Sequence, residues 1–221
     1  MSAISKHTAA PFSTKLSMID DESKHRAKLP MYDLEPKIEH AWVAPNATVV
    51  GETRIRRWAS VWHNAVIRGD INRVDLHHFA SIGAGTVIST AASLPTGMSA
   101  RCYIGRNVQV GAGCSLYSCH IDDDSVIGDK CVILEGARIE KSAEIAPNSV
   151  VPPGRLIPTG QLWGGNPCVF IKDLNMGERW SNYSKSYSHS ALGDIHKNEF
   201  TMWNSAYLHR EASMEDAIPD E

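Results

Sequence analysis

The sequence predicts a left-handed parallel β-helix followed by a C-terminal α-helix. Aliphatic residues recur six positions apart, small residues lie two positions before them, and turn-forming residues fall between. Val43, Val49, Ile55, Val61 and Ile67 form the first run. After an irregular stretch holding Ile82 and Ile88, spacing six returns at Ile104, Val110 and Leu116, slips by one, and continues through Ile121, Ile127, Ile133, Ile139, Ile145, Val151 and Ile157. No helix has that period.

Two residues before these aliphatics stand Ala41, Ala47, Thr53, Ala59 and Ala65, and later Ser125, Cys131, Ala137, Ala143 and Ser149. Residues i and i−2 of a strand face the same side. Each hexapeptide therefore supplies one large and one small inward side chain, and three such strands close a triangular coil. Corners are expected at Pro45-Asn46, Gly51, Gly69-Asp70, Gly105-Arg106-Asn107, Gly128-Asp129, Pro147-Asn148 and Pro152-Pro153-Gly154, because Gly and Asn tolerate left-handed backbone. Ordinary long strands would show period-two alternation and irregular turn spacing instead.

Residues 92–101 break the hexad and predict a loop protruding from one coil, a place where solenoids carry function. The hexads stop at Lys172. Trp180, Tyr183 and Tyr187 then fall at i, i+3 and i+7, predicting an amphipathic helix packed through that stripe. The expected organisation is an N-terminal extension over 1–37, a β-helix over 38–171, a helix over 172–200 and an acidic tail over 201–221, solvated or laid on a partner.

The chain has 221 residues, 43% hydrophobic and 21% charged, enough for one continuous core. A formal net charge of −3 gives no basic excess for nucleic acid. Its 5 cysteines form no CxxC pair, and the odd number fits a reducing compartment rather than a closed disulfide framework. No stretch approaches the roughly 18–20 consecutive apolar residues of a membrane span, so a soluble chain is expected. The first nineteen residues hold Lys6, Lys15, Ser and Thr but no acid, a composition compatible with mitochondrial import.

Val61-Trp62-His63-Asn64-Ala65-Val66-Ile67-Arg68-Gly69-Asp70, followed by Ile71-Asn72, resembles the W…V-x-RGD signature of γ-class carbonic anhydrases. Leu162-Trp163-Gly164-Gly165-Asn166-Pro167-Cys168-Val169-Phe170 resembles that family's W-x-GNPAKF element, with Cys168 and Val169 replacing its Ala and Lys. Asn182-Tyr183-Ser184 is similar to the family members that are accessory subunits of mitochondrial respiratory complex I. The resemblance covers roughly residues 38 to 200.

In the family, the resemblance implies, a catalytic zinc lies between subunits of a trimer, held by one His after the RGD coil and a His-x4-His pair further on. Those positions fall on Ser89, Ala112 and Tyr117, and a polar Gln near the metal falls on Gly83. Serine is a poor zinc ligand, alanine has no donor, and a tyrosine with an unperturbed pKa near ~10 ligates only as phenolate. The chemistry needs zinc to lower the pKa of water from about 15.7 to about 7. No catalytic residue and no cofactor are therefore assigned to this chain; zinc is expected only at a site formed by the other trimer subunits. Arg68 and Asp70 remain and, by resemblance, link neighbouring subunits.

His63, His77, His78 and His120 are the remaining candidate ligands. Because His77 and His78 are adjacent on an expected strand, they would point to opposite faces. Cys102, Cys114 and Cys131 occupy small inward positions and read as core filler, whereas Cys119 has no assigned place.

The resemblance implies a non-catalytic structural or assembly subunit. It would join related γ-carbonic-anhydrase-like chains in a heterotrimer on the matrix side of the complex I membrane arm, peripheral to the inner membrane. One alternative is a hexapeptide acyltransferase using acyl-CoA with a loop His as base, although loop 92–101 contains none. Another is an active carbonic anhydrase with unorthodox ligands.

Overall fold

A computed structural model of the protein describes residues 28–31, 34–95, 97 and 99–199. The expectations for the import-like N-terminus and the acidic tail lie outside them.

Three faces wind around one core. The first carries β3 (Trp42–Val43), β5 (Ser60–Val61), β7 (Ser81–Ile82), β10 (Gln109–Val110), β13 (Val126–Ile127), β16 (Glu144–Ile145) and β19 (Gln161–Gly164). The second carries β1 (Lys28–Leu29), β8 (Val87–Ser89), β11 (Ser115–Tyr117), β14 (Val132–Ile133) and β17 (Val150–Val151). The third carries β2 (Lys37–Ile38), β9 (Cys102–Ile104), β12 (His120–Ile121), β15 (Arg138–Ile139) and β18 (Leu156–Ile157). Two longer strands, β4 (Thr48–Ile55) and β6 (Val66–Leu76), bend from the second face onto the third. All these neighbours pair in parallel, with aliphatics in register, such as Ile127 on Ile145 and Ile139 on Ile157. The left-handed hexapeptide β-helix is thus observed.

The spacing-six residues Ile55, Ile67, Ile82, Ile88, Ile104, Leu116, Ile121, Ile127, Ile133, Ile139 and Ile145 are all fully buried. Thr53, Ala59, Ala65, Ser125, Cys131, Ala137, Ala143 and Ser149 are buried beside them. In the irregular stretch, Val74 and Leu76 restore the inward pair after Asp70–Arg73 bulge out of the β4/β6 ladder. Left-handed residues mark the corners, and at one of them His40, Trp58, Phe79, Asn107, Asp124 and Ser142 recur with φ from 42° to 65°. Even Trp and Phe accept the roughly 1–2 kcal/mol this conformation costs when the neighbouring coils fix the corner.

Several boundaries differ from the sequence reading. Winding begins inside the expected extension, because Lys28-Leu29 and Lys37-Ile38 pair with β4. At the other end β20 (Val169–Asp173) folds back antiparallel on β19, across a cis Asn166-Pro167 peptide, and the helix α1 (Met176–Glu199) starts only after it. A capping box sets that start: Glu178 N donates to Asn175 Oδ1 at 2.8 Å and Asn175 N to Glu178 Oε2 at 3.0 Å. Lys172 pairs with the same Glu178 and, with the Asn175 amide, holds its carboxyl below the usual range.

The helix also lies with a different face inward. Trp180, Tyr183 and Tyr187 are exposed at 72%, 40% and 58%, while Asn182, Ser186 and Gly193 are buried against the first face. The bulk at this contact comes from the solenoid. Trp42 and Trp62 pack edge to face at 4.9 Å, and His196 stacks on Trp42 at 5.6 Å. A Cβ on Gly193 would stand 3.1 Å from Ser60 Cβ, so the helix approaches through small side chains. Asn182 donates to Glu144 Oε2 at 2.8 Å and fixes the upper end.

Candidate functional site

The second face and its following corner bring most of the singled-out residues together. Ser89 ends β8 and Tyr117 ends β11, and the two are direct register partners. Because Ile88 and Leu116 point inward, Ser89 and Tyr117 point outward, side by side on strands roughly 4.8 Å apart. Ala112 occupies the exposed corner that leads into β11, its amide donating to Asp129 Oδ1 at 2.8 Å. Two of the three positions therefore adjoin within one coil pair, with the third at a corner.

Their donor chemistry does not fit a zinc ion. Alanine contributes nothing and an alcohol hydroxyl is a poor ligand. Gly83 sits on Gly111 so closely that a Cβ there would lie 2.4 Å from the Gly111 carbonyl carbon, so a Gln at this position demands a backbone shift between coils. Among the described residues no group of three or more His, Cys, Asp or Glu is placed to hold a metal.

Arg68 and Asp70 meet within one chain, Nη2 to Oδ2 at 2.5 Å, and the Asp70 carboxylate also accepts from the Ile71 amide at 3.1 Å. Burial pushes the Asp70 pKa up, but these hydrogen bonds and the guanidinium charge outweigh it and the net shift is downward. The Arg68 side chain remains 55% exposed, with Ile71, Val87 and Tyr117 exposed nearby on the same face and corner.

The four histidines do not converge. His63 Nδ1 meets Asn46 Oδ1 at 2.8 Å, and His120 stacks on Tyr103 at 4.4 Å with Nε2 at 2.9 Å from Asp122. His77 and His78 stand at a corner rather than on a strand, which replaces the expected alternation. Burial lowers the His77 pKa, with the neighbouring Asp75 opposing. Cys119 joins the other inward cysteines: it is the small residue before Ile121, buried, with Sγ 3.8 Å from Cys102 Sγ. That contact and burial push its thiol pKa well up, so it stays a protonated core residue.

Two residues went unrecognised in the sequence. Asn72, after the RGD segment, clamps the protruding loop through its side-chain amide to Ala91 O at 2.6 Å and Ala92 O at 3.1 Å, and through its backbone to Thr90 Oγ1. Trp62 of the same signature turns away from this face to receive α1, its indole donating to Ser81 Oγ at 3.0 Å. Only the offset of Asn72 from Thr90, about one coil, could have signalled the first contact.

No protein-family model matches the chain. Gamma carbonic anhydrase-like 2, mitochondrial, of Arabidopsis thaliana is 36% identical over 189 residues, which are 85% of this chain and 74% of that protein. Gamma carbonic anhydrase 2, mitochondrial, of the same plant is 32% identical over 178 residues, 80% of this chain. The chain spans 64% of that relative's length and 65% of gamma carbonic anhydrase 1, mitochondrial. Among solved structures, a Bacillus cereus protein described as a candidate acetyltransferase superposes with a TM-score of 0.74 at 28% identity, covering 78% of this chain and 98% of that one. A hexapeptide transferase family protein of Anaplasma phagocytophilum gives 0.72 at 24% identity, over 77% and 98%, a likeness of fold alone. With 32% to 36% identity to these relatives over 80% to 85% of its length, the chain belongs to the gamma carbonic anhydrase and gamma carbonic anhydrase-like family.

Proposed function

We propose that this chain is a non-catalytic structural and assembly subunit, joining related gamma carbonic anhydrase-like chains in a heterotrimer docked on the matrix side of the complex I membrane arm. The observation that carries this reading is the pairing of losses with retention. Ser89, Ala112 and Tyr117 supply no zinc-binding set, while Arg68 and Asp70 stay paired on an exposed face with Ile71, Val87 and Tyr117. Such a face suits subunit contact: apolar side chains to bury, and a guanidinium with spare donors to orient the partner. The mitochondrial names of the Arabidopsis relatives support the compartment. Among the described residues no helix is long and apolar enough to cross a membrane, consistent with a peripheral position.

Any zinc in such a trimer would lie between two partner chains whose own ligands are intact. The test is native electrophoresis of detergent-solubilised inner membranes carrying a tagged chain, followed by zinc analysis and structure determination of the tagged assembly. Co-migration with NADH dehydrogenase activity is expected. Migration only as a free protein, or zinc held by a side chain of this chain, overturns the proposal. The acyltransferase reading rests on likeness of fold, and saturable coenzyme A binding in calorimetry would favour it.

A further inference from the structure

Three irregularities of the sequence coincide at one corner. Between Leu116 and Ile121 the coil is one residue short, the loop after Ser89 arches over that shortened corner, and Cys119 lines the space beneath. The missing residue leaves a notch between the arch and the next coil's Glu135-Gly136 corner. Leu94 reaches down from the arch to pack beside Gly136, and Ser118, at φ 40°, ties arch to coil by accepting from the Ala91 amide at 2.6 Å and donating to Ala100 O at 2.7 Å. Beneath lies a cavity of about 140 Å³, well above the ~10–15 Å³ that one water needs.

Its lining is apolar on one side and cationic at the rim. Leu94 forms the apolar side, with Cys119 and Ala137 buried in the core behind it, and Arg101, Arg138 and His120 surround the opening. Arg101 lies 4.0 Å from Asp75 and Arg138 3.6 Å from Asp122, and among the described residues neither guanidinium donates a hydrogen bond from its side chain. Asp75 is engaged instead by Arg73 Nε at 2.9 Å, and Asp122 by His120. Two forked donor groups thus keep unspent N–H groups beside an apolar notch, with Arg101 held over the Tyr103 ring.

We infer that this notch is a binding site for a small carboxylate with a short alkyl chain, its oxygens taken by Arg101 and Arg138 and its carbons lying against Leu94. Guanidinium forks match carboxylate geometry, and the apolar side chain of Leu94 beside them favours an alkyl acid over inorganic phosphate. The site is separate from the outward face of Ser89 and Tyr117 and independent of the subunit reading.

The test is titration of the full-length protein with propionate, propionamide and inorganic phosphate, followed by saturation-transfer NMR and calorimetry. Saturable propionate binding is expected, without propionamide binding and with weaker phosphate binding. Arg138→Gln, a change at an exposed side chain, should weaken propionate about tenfold, as expected for one charge-assisted contact, and Arg101→Gln with Arg138→Gln should abolish it. Thermal unfolding should be unchanged. Absence of saturable propionate binding, equal binding of propionamide, phosphate preferred over propionate, or propionate affinity unchanged in Arg138→Gln each overturns the assignment.

Discussion

Asp70 shows how a corner carboxylate tied to a guanidinium and to backbone amides makes stability depend on pH. Its carboxylate is held ionised by Arg68 and by backbone amides, so its folded pKa lies below the unfolded value near 3.8. A depressed carboxylate pKa contributes stability above the unfolded pKa and loses it as pH falls through the folded one. Asp70→Asn should therefore lower stability by about 1 kcal/mol at neutral pH, since Arg68 is largely exposed. The gap to the unmodified protein should close below about pH 4 in a pH series of thermal melts. A gap that persists at pH 2 would show that the carboxylate charge is not the cause. Gly83 behaves oppositely: Gly83→Gln meets the Gly111 carbonyl group and should cost about 1–3 kcal/mol, as overpacking does. The loss of coil stacking would be measurable as a lower melting temperature.

At the scale of elements, α1 carries the clearest misreading. Its aromatic stripe looks like the buried face, yet the first face of the solenoid already presents Trp42 and Trp62, and two layers of aromatics would hold the helix too far off for its hydrogen bonds to Glu144 and Phe79. The capping box Asn175-Met176-Gly177-Glu178, which the sequence reading passed over, fixes the start better than the end of the hexads does. Asn175→Ala should destabilise the first turn by about 0.5–2 kcal/mol, raising amide exchange in residues 176–179 without touching the coils. Trp42→Ala should release the far end of the helix around Gly193 and His196, read as new proteolytic cleavage there. Retained protection would place the anchor elsewhere.

The whole molecule is a stack in which each coil contacts its neighbours, so its energetics are those of a repeat protein with two ends to cover. At the C-terminal end β20 and α1 follow the last parallel strand of the first face, and removing residues 169–221 leaves β19 as an open edge. That truncation should shift the protein into aggregates on size-exclusion chromatography, because an unpaired strand edge templates further pairing. A central core substitution should act more strongly than a terminal one. Ile133→Ala, fully buried between coils, should cost about 2–5 kcal/mol, whereas Val43→Ala, half-buried in the first coil of its face, should cost less, by chemical denaturation. Partners on the second face would add a third kind of contact, and mass spectrometry of the native assembly would count them.

By itself the sequence determined the coil: spacing six with small residues at i−2 has no solution but strands that turn every hexapeptide, and it put Ser89 and Tyr117 at outward positions next to inward Ile88 and Leu116. Locality is the reason, since each inward position depends on residues within its own hexad and the coils above and below. What required the tertiary structure depends on distant segments meeting. Which face of α1 turns inward was decided by the tryptophans of residues 42 and 62, more than a hundred positions away. The clamp of Asn72 on the arch, the place of Cys119 against Cys102, and the notch between Arg101 and Arg138 arise only when a shortened corner and a long loop stack on one another, a relation between coils that no single hexad records.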